Sequence, residues 1–212
     1  MKRILIYSIL SLMAITLFGQ SQVVIPAFDD TYSEYVKTLE SGNTDIDYQY
    51  FRFSFMKSKQ FKIASQKLKD ISQLKNAMYE QMDQLNYDGI ISLAKQILSI
   101  DYTNMMAHKI LSQTYDMMED ADNSQKYDAI GMGLLKSIIQ NGDGKSCETA
   151  WPVIQVSEEY FILEMLGVEG RHKSIISGKG LCDRMDVTDE GVPVTYYFDV
   201  SKIFENRDKL SN

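Results

Sequence analysis

The stretch Tyr87-Asp88-Gly89-Ile90-Ile91-Ser92-Leu93-Ala94-Lys95-Gln96-Ile97-Leu98-Ser99-Ile100 decides how most of this chain is organised. Ile90, Leu93, Ala94, Ile97 and Leu98 recur at i, i+3, i+4, i+7 and i+8, the spacing that lines one face of an α-helix. Lys95, Gln96 and Ser99 fall on the other face. Asp101-Tyr102-Thr103-Asn104 is a short polar break, and Ala107, Leu111, Thr114, Tyr115 and Met118 then restart the period. Asn104 is placed to cap the second helix by accepting a bond from an orphan backbone N–H. Two apolar faces joined by so short a turn cover each other as an antiparallel helix pair.

Moving the chain by 37 residues lays a second such pair on the first: Leu74 falls on Leu111, Met78 on Tyr115, Leu93 on Ile130, Ile97 on Leu134 and Leu98 on Leu135. That offset is close to the ~34-residue unit of tetratricopeptide repeats, and Ile90–Tyr115 resembles the junction between two such repeats. Tyr102 stands where that repeat carries Pro, and Ile90 and Ile97 stand where it carries Ala. An ordinary helical bundle accounts for the same periodicity. Upstream, Thr31–Leu39 and Tyr48–Met56 read as two further helices. Their aromatic cluster, Tyr48, Tyr50, Phe51, Phe53 and Phe55, would pack them on the first pair, although Phe51-Arg52-Phe53-Ser54-Phe55 alone also fits a strand.

Asn141-Gly-Asp-Gly-Lys-Ser-Cys147 ends this texture, with Gly142 and Gly144 able to stop a helix and take positive φ. Ala150–Val156 then has strand composition. Ser157 is expected to cap a helix carrying Glu158 and Glu159 in its first turn, with Phe161/Met165 and Ile162/Leu166 as its apolar side and Gly167 as its end. Leu181–Val187 and Val194–Val200 read as strands joined by the Thr188-Asp189-Glu190-Gly191 hairpin. The predicted fold class is α+β: N-terminal helical hairpins, repeat-like, followed by a small mostly antiparallel sheet with one helix. Such a sheet needs the helical half to cover its other face.

The chain has 212 residues, 44% hydrophobic and 24% charged, with only 3 Pro, which argues against a disordered or multi-span membrane protein. It opens with Met1-Lys2-Arg3 and an apolar run of 15 residues, Ile4 to Phe18, too short for the ~20 residues of a bilayer span. Gly19 and Ser21 supply small residues at −3 and −1, so cleavage of a signal peptide before Gln22 is expected; an uncleaved anchor is the alternative. The expected divisions are a signal peptide at 1–21, a helical region at 22–140 and a small α+β region at 141–212 packed on the helices. No membrane span is expected after cleavage. The formal charge of −7 becomes −9 once Lys2 and Arg3 are removed, which excludes phosphate-driven nucleic-acid binding. The expected location is periplasmic or secreted.

The segment after the Gly-Asp-Gly-Lys-Ser loop, Ser157-Glu158-Glu159-Tyr160-Phe161-Ile162-Leu163, is followed by Cys182-Asp183-Arg184-Met185-Asp186-Val187 and Tyr196-Tyr197-Phe198-Asp199-Val200-Ser201. Together these resemble an uncharacterised family of exported proteins from Bacteroidota-type bacteria, known as a domain of unknown function. The resemblance implies an envelope placement and carries no activity or catalytic residue.

The candidate sites each have a plainer reading. Gly144-Lys145-Ser146 ends like a phosphate loop, but Ile139 stands where the first Gly belongs. Asn141-x-Asp143-x-Lys145 starts like a calcium loop, but a cation occupies the third ligand position and Pro152 the twelfth. Cys147 and Cys182 are the only cysteines, and an exported location favours their pairing, with two free thiols as the alternative. His172 sits in an expected polar turn, Gly170–Lys173, and His108 early in a helix; neither lies in a nucleophile motif. Glu158/Glu159 and Asp183/Asp186 could act on glycans, where two carboxylates flank the bond, but helix-start electrostatics and solvated strand faces explain them more simply. No catalytic, cofactor or metal residues are assigned, and no cofactor is expected. The reading favoured is a non-catalytic binding or accessory protein of the cell envelope, holding a protein or peptide in a groove lined by exposed Tyr and Met. The alternative is a small periplasmic hydrolase acting on cell-wall or dietary polymers.

Overall fold

The computed structural model describes residues 22–177 and 181–210; the expected signal peptide lies outside the described residues. Helices α1 (Thr31–Glu40), α2 (Tyr48–Lys57), α3 (Lys59–Gln66), α4 (Leu68–Asp83), α5 (Tyr87–Ile100), α6 (Met105–Met117) and α7 (Ala121–Ile139) fill the N-terminal part. Then come β1 (Trp151–Pro152), α8 (Val156–Met165), β2 (Glu169–Ser177), β3 (Leu181–Asp189), β4 (Val192–Asp199) and α9 (Ser201–Leu210). The chain is α+β, helices followed by a four-stranded mixed sheet.

Short polar side chains set where the helices begin. Asp30, Asp47, Ser58, Asn86, Asn104 and Asp120 each accept a bond from a backbone N–H in the first turn that follows, which satisfies one donor that the helix itself leaves orphaned. Helices α4 and α5 form one packed pair and α6 and α7 a second, with α5 also against α6. The positions equated by the 37-residue offset carry the packing, since Met78, Tyr115, Ile97, Leu134, Leu98 and Leu135 are all buried. The Phe51–Phe55 stretch is helical rather than extended, because the faces of Phe51 and Phe55, one turn apart, both meet Tyr32 of α1 (ring centroids 5.5 and 4.9 Å).

Lys95, expected on the solvent face of α5, is buried. Its ammonium sits 5.5 Å from the ring centroid of Tyr115, so the charge meets a π face.

In the sheet the strand order is β1-β4-β3-β2; β1 runs parallel to β4 and the other pairs are antiparallel. Residues Glu190 (φ 47°) and Gly191 (φ 83°) form the two-residue β3–β4 turn, whose double positive φ matches the twist of a hairpin. Three expectations need correction. The Ala150–Val156 strand is only Trp151–Pro152: Val153 N–H still donates to the Asp199 carbonyl (3.0 Å), but the chain then turns into α8 at Val156. Residues Gly170–Lys173, expected as a turn, belong to strand β2, where pairing with β3 overrides the polar composition. Ser157 does not cap α8: Gln155 occupies the cap position without a capping bond, and its amide nitrogen instead donates to Asp101 Oδ2 (2.9 Å) and Thr103 Oγ1 (3.2 Å). Helix α9 was not foreseen.

Candidate functional site

The C-terminal sheet is bound to the helices by a polar seam, and a groove opens along it. At the centre of the seam is Arg52 of α2, fully buried. Its guanidinium grips Glu158 of α8 with two bonds, Nε to Oε1 at 2.9 Å and Nη2 to Oε2 at 2.6 Å. It also donates to the Pro152 carbonyl (3.0 Å) and to Ser137 Oγ of α7 (3.4 Å). Glu158 Oε2 in turn accepts the Ile154 N–H at 2.8 Å. A planar fork that satisfies a carboxylate bidentately is the geometry for which Arg, and not Lys, is suited.

Beside it lies the buried carboxylate of Asp101, which accepts from Thr103 N (2.9 Å), Thr103 Oγ1 (2.6 Å) and Gln155. Burial raises its pKa above the ordinary Asp value, and the bonds from Thr103 and Gln155 hold that rise down.

One position further along α8, Glu159 meets Lys173 of β2 at 2.9 Å, and the same ammonium pairs with Asp183 of β3. Glu159 is fully buried and Asp183 nearly so. One oxygen of each, Glu159 Oε1 and Asp183 Oδ1, is buried with no other partner. Burial above all, opposed by Lys173 and reinforced by the facing Asp183, lifts the Glu159 carboxyl from 4.5 to about 7. For Lys173, burial favours the neutral amine, but the bonds to Asp183 and Glu159 outweigh it and raise the pKa.

These contacts correct the expectation for the acidic pairs. Glu158, Glu159 and Asp183 are neither solvated nor simple helix-start charges; each is buried against a cation from another element. Only Asp186 keeps to the outer face, bonded to Arg184 Nε (3.0 Å) and Thr195 Oγ1 (2.8 Å). The structure therefore splits both sequence pairs and joins one member of each across Lys173.

The groove itself lies between α4 and α8, with the start of α6 as its floor. It encloses about 410 Å³ and is lined by Ile71 and Lys75 of α4, Met105 of α6, and Glu158, Tyr160, Phe161 and Glu164 of α8. A second cleft of about 190 Å³, among α6, α7 and α8, shares Met105 and Phe161 with the first and adds Met132 and Met165. The two adjoin at Met105 and Phe161. Tyr160, Met132 and Met165 are each between a third and a half exposed.

His108 does not reach this groove. It is fully buried, with Nε2 2.8 Å from the Tyr102 carbonyl; that oxygen can only accept, so Nε2 carries the proton and Nδ1 is a bare acceptor. Burial depresses its pKa to about 4, which keeps it neutral. Tyr102, at the position where the repeat motif carries Pro, is buried and donates its hydroxyl to Glu40 at 2.6 Å.

Cys147 and Cys182 form a disulfide with Cα atoms 5.9 Å apart, tying the 141–149 loop to β3. That loop is a closed turn. Asp143 Oδ1 accepts from Lys145 N (3.0 Å) and Thr149 Oγ1 (2.5 Å), and Trp151 Nε1 donates to the Gly142 carbonyl (3.0 Å). Asp143 is thus held within the loop, while the Gly144 carbonyl accepts from Tyr197 N of β4 (2.9 Å) and the Lys145 ammonium lies over the Tyr196 ring. Among the described residues no cluster of His, Cys, Asp and Glu has the grouping to hold a metal ion, and no helix is long and apolar enough to cross a membrane.

A family model for a domain of unknown function, DUF4919, matches residues 32–209. The chain belongs to the DUF4919 family. No curated protein and no solved structure matches it. The DUF4919 match takes in every element from α1 to β4, so the polar seam and the groove both lie within the family domain. Sequence reasoning missed Arg52 and Lys173, the two cations of the seam. Arg52 did carry a signal: it interrupts the aromatic run Phe51–Phe55 at a position where a charge has no reason to be unless a partner waits for it.

Proposed function

We propose that this DUF4919 protein is an exported, non-catalytic accessory protein of the cell envelope that holds a peptide segment in the α4–α6–α8 groove. The observation that carries this reading is a largely apolar groove whose acids are already engaged. Met, Tyr, Ile and Phe form most of its wall, Glu158 on that wall is held by Arg52 and Glu164 faces Lys109, and His108, Glu159 and Asp183 are buried in the packing. Flexible thioethers beside aromatic rings suit the side chains of a bound peptide, because they adapt to shape without demanding a polar partner. The tandem pairs α4–α5 and α6–α7 are read as tetratricopeptide-like, with the groove at their junction with α8. Export rests on the Met1–Ser21 segment.

A peptide array spanning apolar, acidic and basic sequences tests the reading. Peptides with apolar side chains at two or three spaced positions bind, and Tyr160→Asp or Met165→Asp weakens them at least tenfold without lowering Tm. Turnover of glycans or peptides by the wild type, with no retained ligand, would overturn it in favour of a hydrolase.

A further inference from the structure

Glu159 is adjacent in sequence to two groove residues, Glu158 and Tyr160, and points the other way, into the sheet. Whatever fixes Glu159 therefore fixes the wall of the groove. Its charged neighbours are two, the Lys173 ammonium and the Asp183 carboxyl. Lys173 and Asp183 lie on the same face of the β2–β3 pair, one diagonal apart, since Lys173 is registered with Met185 and Asp183 with Ile175. Diagonal neighbours on one face of a sheet are within reach of long side chains, so a single ammonium bridges both carboxyls. Glu159 Oε1 and Asp183 Oδ1 are both buried and have no other donor. A proton lying between the two carboxyls satisfies both oxygens, one carboxyl donating to the other carboxylate.

We propose that Glu159, Asp183 and Lys173 form a proton-operated latch on the groove. With one proton shared by the two carboxyls the triad is neutral and holds α8 against the β2–β3 hairpin. When the proton leaves to solvent, two carboxylates face one ammonium, and α8 loosens together with the groove wall it carries. Other charges near α8 are already engaged. Glu158 is paired with Arg52 of α2, and Glu164 faces Lys109 of α6 at 3.5 Å. On β3, Arg184 and Asp186 bind each other. The proton balance at Glu159 is thus set by Lys173 from β2 and Asp183 from β3. The upward displacement of the Glu159 carboxyl toward neutrality has the sense this arrangement requires.

This inference rests on the groove reading for its biological meaning but is tested without any ligand. Amide hydrogen exchange of the whole exported chain is measured at pH 5.5 and pH 7.5 and corrected for intrinsic exchange, with α6 and α7 as internal reference. If opening frees Glu159 to titrate as an ordinary carboxyl, the opening equilibrium of α8, read at Tyr160 and Phe161, rises roughly twenty-fold between the two pH values. In Glu159→Gln the rise vanishes and protection stays high at both. Should that variant fail to fold, the carbon-13 carboxyl titration of the wild type decides, a buried Glu with its midpoint near neutrality supporting the latch. Equal relative protection of α8 at both pH values, or an ordinary midpoint for Glu159, would refute the latch and leave the groove standing; failure of the peptide array would do the reverse.

Discussion

Replacing Arg52 by Met tests how the two halves of the molecule are joined. The side chain makes four bonds, two to Glu158 and one each to Pro152 and Ser137, from a position with no solvent exposure. Met fills much of the volume but leaves Glu158, 3% exposed, with a single donor, the Ile154 N–H. An uncompensated buried carboxylate costs ~3–5 kcal/mol. For a chain of this size each kcal/mol moves Tm by about 2–4 °C, so a fall on the order of 10 °C is expected. The double variant Arg52→Met with Glu158→Leu removes both charges and should be more stable than Arg52→Met alone, because the isolated ion is gone. Urea unfolding followed by circular dichroism, which reports mainly the helices, and by the fluorescence of Trp151 in the sheet supplies both numbers. It also shows whether the halves melt together in the wild type. A cost below about 1 kcal/mol for Arg52→Met, or a double variant no better than the single, would refute the claim that this pair is a desolvated seam.

Three more outcomes follow from the geometry. Cys147→Ser opens a 35-residue loop, and the chain-entropy model puts the loss at about 4 kcal/mol, read as a lower denaturation midpoint; reduction of the wild type should match it. Ionisation of Glu159 and His108 tilts stability in opposite directions. Glu159 holds its proton in the fold up to about 7, so its contribution declines as pH rises from about 4.5 to 7. His108 refuses a proton down to about 4, so its contribution declines as pH falls from about 6.5 to 4. Each amounts to roughly 3 kcal/mol; the variant Glu159→Gln should therefore gain stability relative to wild type as pH rises to 7, and chemical denaturation across that range checks the sign. Gly144 has φ 65° and an added Cβ would stand 2.8 Å from the Trp151 ring, so Gly144→Ala should cost about 1–3 kcal/mol and alter the fluorescence of the chain's one tryptophan, whereas an unchanged spectrum and midpoint would contradict that packing.

Local and short-range order was legible in the residues themselves. The period of Ile90–Leu98, the Asn104 cap, the Glu190-Gly191 turn and the half-buried alternation of β4 are each fixed within a few positions, because helix faces, caps and hairpin turns depend on neighbours in the chain. So was the division into helices and then a sheet. What the tertiary structure alone decided is which polar groups lose water. Arg52 and Glu158 are 106 residues apart, and no local pattern links them; nor does any link Lys173 to Glu159 and Asp183 together. For that reason the acids read as solvated from the sequence prove to be desolvated in the fold. A carboxylate on an isolated helix or strand has solvent to one side, and only the packing of α2, α8 and the β2–β3 hairpin removes it and makes a partner cation necessary.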